Sequence, residues 1–248
     1  MNAATLKVDR PSRIERLGAC VLMLLVASCA GRVTAPPATE GWPESFPAGR
    51  YERAAASGAS VYRVDPANSL LQVVAGRAGA LARMGHDHLV ASRDMQGYVM
   101  LSRDGLRVEA DILVPLDRMT VDEPELRAAA GFDAEVPASA REGTRTNMLL
   151  SLESADYPWA MLAVDTSLPD GIAGAADASI RVTVSLHGVN RELDVPVLVV
   201  LDESRIDVES QFTIRQTDFG IEPYSALGGA LRVQDELSVS VRLQATRL

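Results

Sequence analysis

From Leu70 to its C-terminus, this 248-residue chain alternates apolar and polar residues with a period of two. Between Ser179 and Leu186, for example, Ile180, Val182, Val184 and Leu186 alternate with Ser179, Arg181, Thr183 and Ser185. Successive side chains of a strand point to opposite faces, so such a run has one apolar and one wet face: a half-buried antiparallel strand. The pattern recurs in Leu106–Val114, Leu193–Val199, Ile206–Ile214 and Leu237–Leu243. Less regular runs at about 69–76, 87–102 and 157–166 bring the expected count to eight. Asp104-Gly105 reads as a hairpin turn.

The alternation fails only between Thr120 and Asp156, where alanine, acidic starts and the spacing of Met148, Leu149 and Leu152 predict two short helices. Eight amphipathic strands in one domain close into a barrel or fold into a sandwich. The expectation is an all-β fold, an eight-stranded antiparallel barrel with a short helical insertion between strands four and five. If consecutive strands are neighbours, one rim collects residues 77–86, the helical segment, the turn at His187-Gly188-Val189-Asn190 and the stretch Thr217–Gln234. The other rim collects Asp104-Gly105, the 167–178 loop and Asp202-Glu203. All three histidines, His86, His88 and His187, then fall at the first rim, among the loops where binding usually resides.

The N-terminus predicts the address. Lys7, Arg10, Arg13 and Arg16 precede an apolar run from Leu17 to Ala27, too short to span a membrane and suited to a secretory signal. The run ends in Val26-Ala27-Ser28-Cys29, which resembles the lipobox of bacterial lipoproteins. That resemblance implies a signal peptide over 1–28, acylation of Cys29, and a lipid-anchored protein on the periplasmic side of the envelope, at the outer membrane. An ordinary signal peptide with a chance cysteine is the alternative. With Cys20 lost in the signal, no intrachain disulfide would be available. Residues 29–60, with Pro36, Pro37, Pro43 and Pro47 among Ala, Gly and Ser, read as a flexible tether, and 61–248 as the barrel domain. Removal of residues 1–28 leaves 20 basic and 31 acidic side chains and no basic stripe, which argues against nucleic acid.

Four segments carry a resemblance: YRVDPANSLLQVV (62–74), TNMLLSLESADYPWAML (146–162), SLHGVNRELDVPV (185–197) and RQTDFGIE (215–222). In this order they resemble the successive motifs of the YceI-like family. The resemblance implies an extended lipocalin-like barrel with an apolar tunnel, exported, binding polyisoprenoid or related long apolar lipids without catalysis. Two features depart from the family pattern. Asn68-Ser69 stands where a histidine commonly precedes the serine, and LARMGHDHLV stands where many members have a plainer hairpin.

The residues themselves support a greasy interior. A soluble barrel turns its aliphatic faces inward, and eight strands enclose enough width to be filled or to hold one slender ligand. The chain has only four Phe and two Trp to act as plugs. Val108, Ile112, Val114, Val182, Val184, Val195, Val197, Ile206, Phe212 and Val239 are the candidate ligand-lining positions. Burial of lipid carbons would contribute about 0.8 kcal/mol per CH₂, so a long chain binds by area with few polar anchors.

His86 and His88, in an extended segment, would share a face and suit zinc or copper, with His187 as a third ligand; the plainer alternative is that they hydrogen-bond loop backbone. Arg215 and Asp218 read as a loop clasp. The sequence carries no Gly-x-Ser-x-Gly, P-loop or dinucleotide fingerprint, so neither catalysis nor a cofactor is expected.

Overall fold

The computed structural model describes residues 42–132, 134–167 and 174–248; the expected signal peptide, Cys29 and the first part of the expected tether lie outside them. Its strands are β1 (Ser60–Val64), β2 (Leu70–Ala78), β3 (His88–Ser92), β4 (Gln96–Leu101), β5 (Arg107–Pro115), β6 (Thr120–Val121), β7 (Trp159–Ser167), β8 (Gly174–Leu186), β9 (Val189–Leu201), β10 (Arg205–Arg215), β11 (Ser225–Ala226) and β12 (Leu231–Arg247). Three α-helices accompany them: α1 (Ala48–Ala56), α2 (Pro124–Ala129) and α3 (Ala138–Ser151). None is long and apolar enough to cross a membrane.

The strands form an antiparallel barrel in up-and-down order. β1 with β2, and β3 with β4, each act as one bent stave, followed by β5, β7, β8, β9, β10 and β12. The long β12 closes the sheet, pairing with β10 on one edge and with β1 and β2 on the other. The helical insertion is present as α2 and α3, between β6 and β7.

Local chemistry explains the bends. Between β1 and β2, Asp65 accepts from the Ala67 N–H and from Asn68 Nδ2, capping a short turn that begins at Pro66. Ser69 Oγ donates to the Asp65 carbonyl and accepts the Gln244 N–H, tying this break to β12. Asn68-Ser69 therefore serves the backbone here. At the start of β4, Gly97 has φ +150°, and a Cβ there would lie 2.2 Å from the Asp111 carbonyl oxygen. Only glycine permits that approach.

Parity is as the alternation requires. On β9, Val195, Val197 and Val199 are buried while Pro196, Leu198 and Val200 face out. The ladder between β9 and β10 is short, running only from Ile206 opposite Leu201 to Ser210 opposite Val197. At its end Ser210 Oγ donates to the Pro196 carbonyl at 2.7 Å. A residue's N and O point the same way in a strand, so Pro196 places its missing N–H toward β10 and ends the pairing there.

One boundary needs correction. Residues 42–59, expected within the flexible tether, fold against the outer wall. Phe46 and Tyr51 are buried with Val61, Tyr98 and Leu113, and Trp42 and Trp159 pack onto the same cluster. Tyr51 donates to Asp111 Oδ2 at 2.7 Å and its ring stacks on Tyr98. The proline and alanine content suggested an extended leash, but three aromatic anchors, Trp42, Phe46 and Tyr51, outweigh it.

Candidate functional site

The barrel is hollow. Two cavities, each of about 280 Å³, lie end to end along its axis. Ile112, Leu162, Phe212, Val241 and Leu243 border both, so they form a waist between two lobes of one lumen. All ten candidate lining residues border it. Val108, Val182, Val195, Val197 and Ile206 line the lobe toward the Asp104 hairpin, Val114, Val184 and Val239 the lobe toward α3, and Ile112 and Phe212 the waist.

The walls are largely aliphatic because most bulky aromatics are used elsewhere, with Phe212 and Tyr224 bordering the lumen. Phe46, Tyr51, Tyr98 and both tryptophans pack outside under α1, and Phe132 lies beneath Arg127 on α2. An eight-stranded barrel can be filled by its side chains or hold one slender ligand, and here the axis is open.

The α3 end is the more elaborate. Thr144, Asn147, Met148, Ser151 and Leu152, spaced by three and four, form the helix face that roofs this lobe. Leu149 on the same helix is buried with Leu116, Met119 and Val121 and fixes the roof to the barrel. The up-and-down order brings residues 79–87, the helices, the His187-Gly188 turn and residues 216–230 to this end, and the Asp104 hairpin and residues 202–204 to the other. Of the remaining expected connection at that other end, 167–178, residues 168–173 lie outside the described residues and 174–178 belong to β8.

The histidines take separate roles. His88 faces the lumen from the start of β3, opposite Ala75 on β2, and its Nδ1 lies 2.6 Å from Asp122 Oδ2. Asp122 Oδ1 accepts from the Leu89 N–H and from Arg127 Nη1, at 2.9 and 2.7 Å. Asp122 is 1 % exposed and Arg127 4 %. Burial pushes the Asp122 carboxyl up, but the hydrogen bonds from His88, Leu89 and Arg127 outweigh it and hold it below the usual carboxylate range. Arg127 also donates to the carbonyls of Asp87 and Ala134.

His187 begins the two-residue turn between β8 and β9, with φ +54° followed by Gly188 at +72°. Its Nδ1–H donates to the Phe219 carbonyl at 3.1 Å, and its Nε2 lies 3.3 Å from Glu153 Oε2. It thus clips the 216–219 turn to the rim, the backbone-bonding alternative, while its Nε2 makes no hydrogen bond among the described residues. His86 is exposed. Among the described residues no group of three or more His, Cys, Asp or Glu side chains is placed to hold a metal ion, so His86, His88 and His187 are not gathered into one site. Arg215 likewise pairs with Asp235 at 3.0 Å rather than with Asp218, because β12 runs alongside β10 there.

Sequence reading missed Asp122, Arg127 and Glu153. Asp122 gave no signal, being distant from His88 along the chain and outside any alternating run.

A family model for the YceI-like domain matches residues 62–245. The chain belongs to the YceI-like family. Solved structures agree at the level of fold. A polyisoprenoid-binding domain from Saccharophagus degradans, implicated in plant cell wall breakdown, is similar with a TM-score of 0.53 at 19 % identity, covering 75 % of this chain and 98 % of its own. BcnA from Burkholderia cenocepacia is similar with a TM-score of 0.51 at 14 % identity, covering 73 % of this chain and 98 % of its own. No curated protein matches the chain.

Proposed function

We propose that this YceI-like protein holds a long apolar lipid, polyisoprenoid-like or fatty-acyl, inside its barrel without chemically altering it, and that it does so as a lipoprotein anchored through Cys29 at the periplasmic face of the outer membrane. The observation that carries the reading is the continuous aliphatic lumen, two lobes of about 280 Å³ in line through a waist. Together they lie in the range of small-molecule sites, and their end-to-end arrangement suits a slender chain rather than a compact ligand. Each CH₂ moved from water to this wall contributes about 0.8 kcal/mol, so length supplies affinity. The polyisoprenoid-binding domain with the same fold supports the ligand class. The lipobox-like Val26-Ala27-Ser28-Cys29 supports the anchor.

The test is native mass spectrometry of protein purified from the envelope, with organic extraction and lipid analysis of the same sample. A stoichiometric long-chain lipid is expected. Protein that is ligand-free when purified and takes up no lipid on reconstitution with envelope extract refutes the proposal.

A further inference from the structure

The α3-side lobe has one feature that a purely aliphatic tunnel does not need. His88 projects into it from the inward face it shares with Val90, while Leu89 and Ala91, on the outward face, are packed under Leu126 and Phe132 of the α2 region. Behind the ring, both Asp122 oxygens are spoken for: Oδ1 by the Leu89 N–H and Arg127, Oδ2 by His88 Nδ1. A buried carboxylate accepts and cannot donate, so Nδ1 carries the hydrogen, and in the neutral form of the ring Nε2 is an acceptor. Among the described residues Nε2 has no partner, and the side chain retains 20 % exposure, on the lumen side. A buried ion pair is costly to assemble. Here it fixes the tautomer and the aim of one imidazole.

The rest of the lobe restricts what that imidazole can meet. Its polar lining is Thr144, Asn147, Ser151, Gln216 and Tyr224, all uncharged. Among the described residues no Asp, Glu, Lys or Arg borders the lobe, so a phosphate or carboxylate entering it would lose its hydration without a fixed counter-charge from such a side chain. A group that donates to Nε2 and is itself neutral is matched: a hydroxyl.

We infer that this lobe ends in a head-group site in which His88 Nε2, aimed by Asp122 and Arg127, accepts a hydrogen bond from the terminal hydroxyl of a long-chain alcohol, with the roof of α3 around it. This rests on the lipid-holding reading above and specifies its ligand. The chain lies toward the waist and the oxygen sits under Asn147 and Ser151. His88 is the residue that distinguishes an alcohol from its hydrocarbon, its acid or its phosphate ester.

The test compares hexadecanol, hexadecane and hexadecyl phosphate on the delipidated full chain by displacement of a fluorescent fatty probe. The tails match, so ratios report the head. Hexadecanol is expected to bind about tenfold more tightly than hexadecane and more tightly than the phosphate, in line with one hydrogen bond formed in a water-poor site. In His88→Phe, which keeps the ring volume, the alcohol-to-alkane ratio should fall toward one. A wild-type ratio near one, or a preference for the phosphate, overturns the head-group site while leaving the lipid-holding reading in place. Retention of the ratio in a folded His88→Phe variant overturns it as well. If none of the three binds, the lipid-holding reading fails and this inference with it. Should His88→Phe not fold, the wild-type comparison of the three heads decides alone.

Discussion

Asp122→Asn is the sharpest perturbation of the rim. It keeps the shape of the side chain and one acceptor, so the Leu89 N–H and Arg127 retain a partner. It removes the acceptor facing His88 Nδ1 and leaves the Arg127 guanidinium, 4 % exposed, without a buried counter-charge. Breaking a buried pair by removing one partner costs about 3–5 kcal/mol. Arg127 still donates to the Asp87 and Ala134 carbonyls at 2.8 and 3.0 Å, which places the expected loss at the low end, about 3 kcal/mol. For a chain of this size that is a fall in Tm of about 6–12 °C. The sign with pH follows from the direction of the shift. The folded carboxyl titrates below the ordinary value of 3.8, so as pH falls the unfolded chain binds this proton first. The stabilisation is therefore complete above that ordinary value and is lost as pH drops through the folded one. Urea unfolding followed by far-UV circular dichroism, run on wild type and variant from neutral pH down to pH ~3, should show a gap that is constant near neutrality and narrows in acid. A gap under about 1 kcal/mol at neutral pH, or one that does not change on acidification, refutes the buried-pair account.

Four further outcomes are expected. Val197→Trp, on the inward face of β9 beside the lobe toward the Asp104 hairpin, should lower the lipid recovered per protein with little change in Tm; a drop in stability of about 1–3 kcal/mol with unchanged lipid would mean that the core is effectively filled. Gly97→Ala forces a side chain to within 2.2 Å of the Asp111 carbonyl at φ +150° and should destabilise by more than about 1 kcal/mol, read by thermal melting. Tyr51→Phe deletes the bond to Asp111 from a fully buried ring and should cost about 1 kcal/mol, with altered fluorescence from Trp42 and Trp159 in the same cluster. Cys29→Ser should move the protein from the membrane to the soluble fraction on envelope fractionation, since anchoring by acylation requires that thiol.

Much of the barrel was legible because a strand writes its faces into every second residue. The runs around Val182, Val195 and Val239 needed only that rule, and all ten lining positions came from it. The up-and-down order was not contained in the alternation and was a condition for placing the rims; in the structure tight turns at Gly105 and at His187-Gly188, with φ of +70°, +54° and +72°, join neighbouring strands. Composition misled where a few large residues outweighed many small ones. The segment before β1 is rich in Pro, Ala and Gly, yet Trp42, Phe46 and Tyr51 dock it on the wall. The histidine pattern left shared metal chemistry and backbone bonding both open because spacing shows only which side chains can meet. What they meet was set by Asp122 and by the carbonyl of Phe219, both remote in sequence.

Why the lumen stays open follows from the same distribution of residues. An eight-stranded barrel is just wide enough to be filled by its own side chains or to hold one slender ligand, so the residues at its axis decide. Phe212 comes nearest to a plug, and it narrows the lumen to a waist instead of filling it, because the residues that border both lobes with it are Ile112, Leu162, Val241 and Leu243. The short β9–β10 ladder, ended by Pro196, leaves the wall less tightly laced on that side. The roof at the α3 end is held by Leu149 beneath it, and the 216–219 turn beside it by His187, which donates to the Phe219 carbonyl. The two ends thus differ in kind. At one end the described residues are the Asp104 hairpin and residues 202–204, at the other a helix over a histidine whose orientation is fixed from behind. On the head-group proposal, a ligand with one polar end would lie in this lumen with that end under α3.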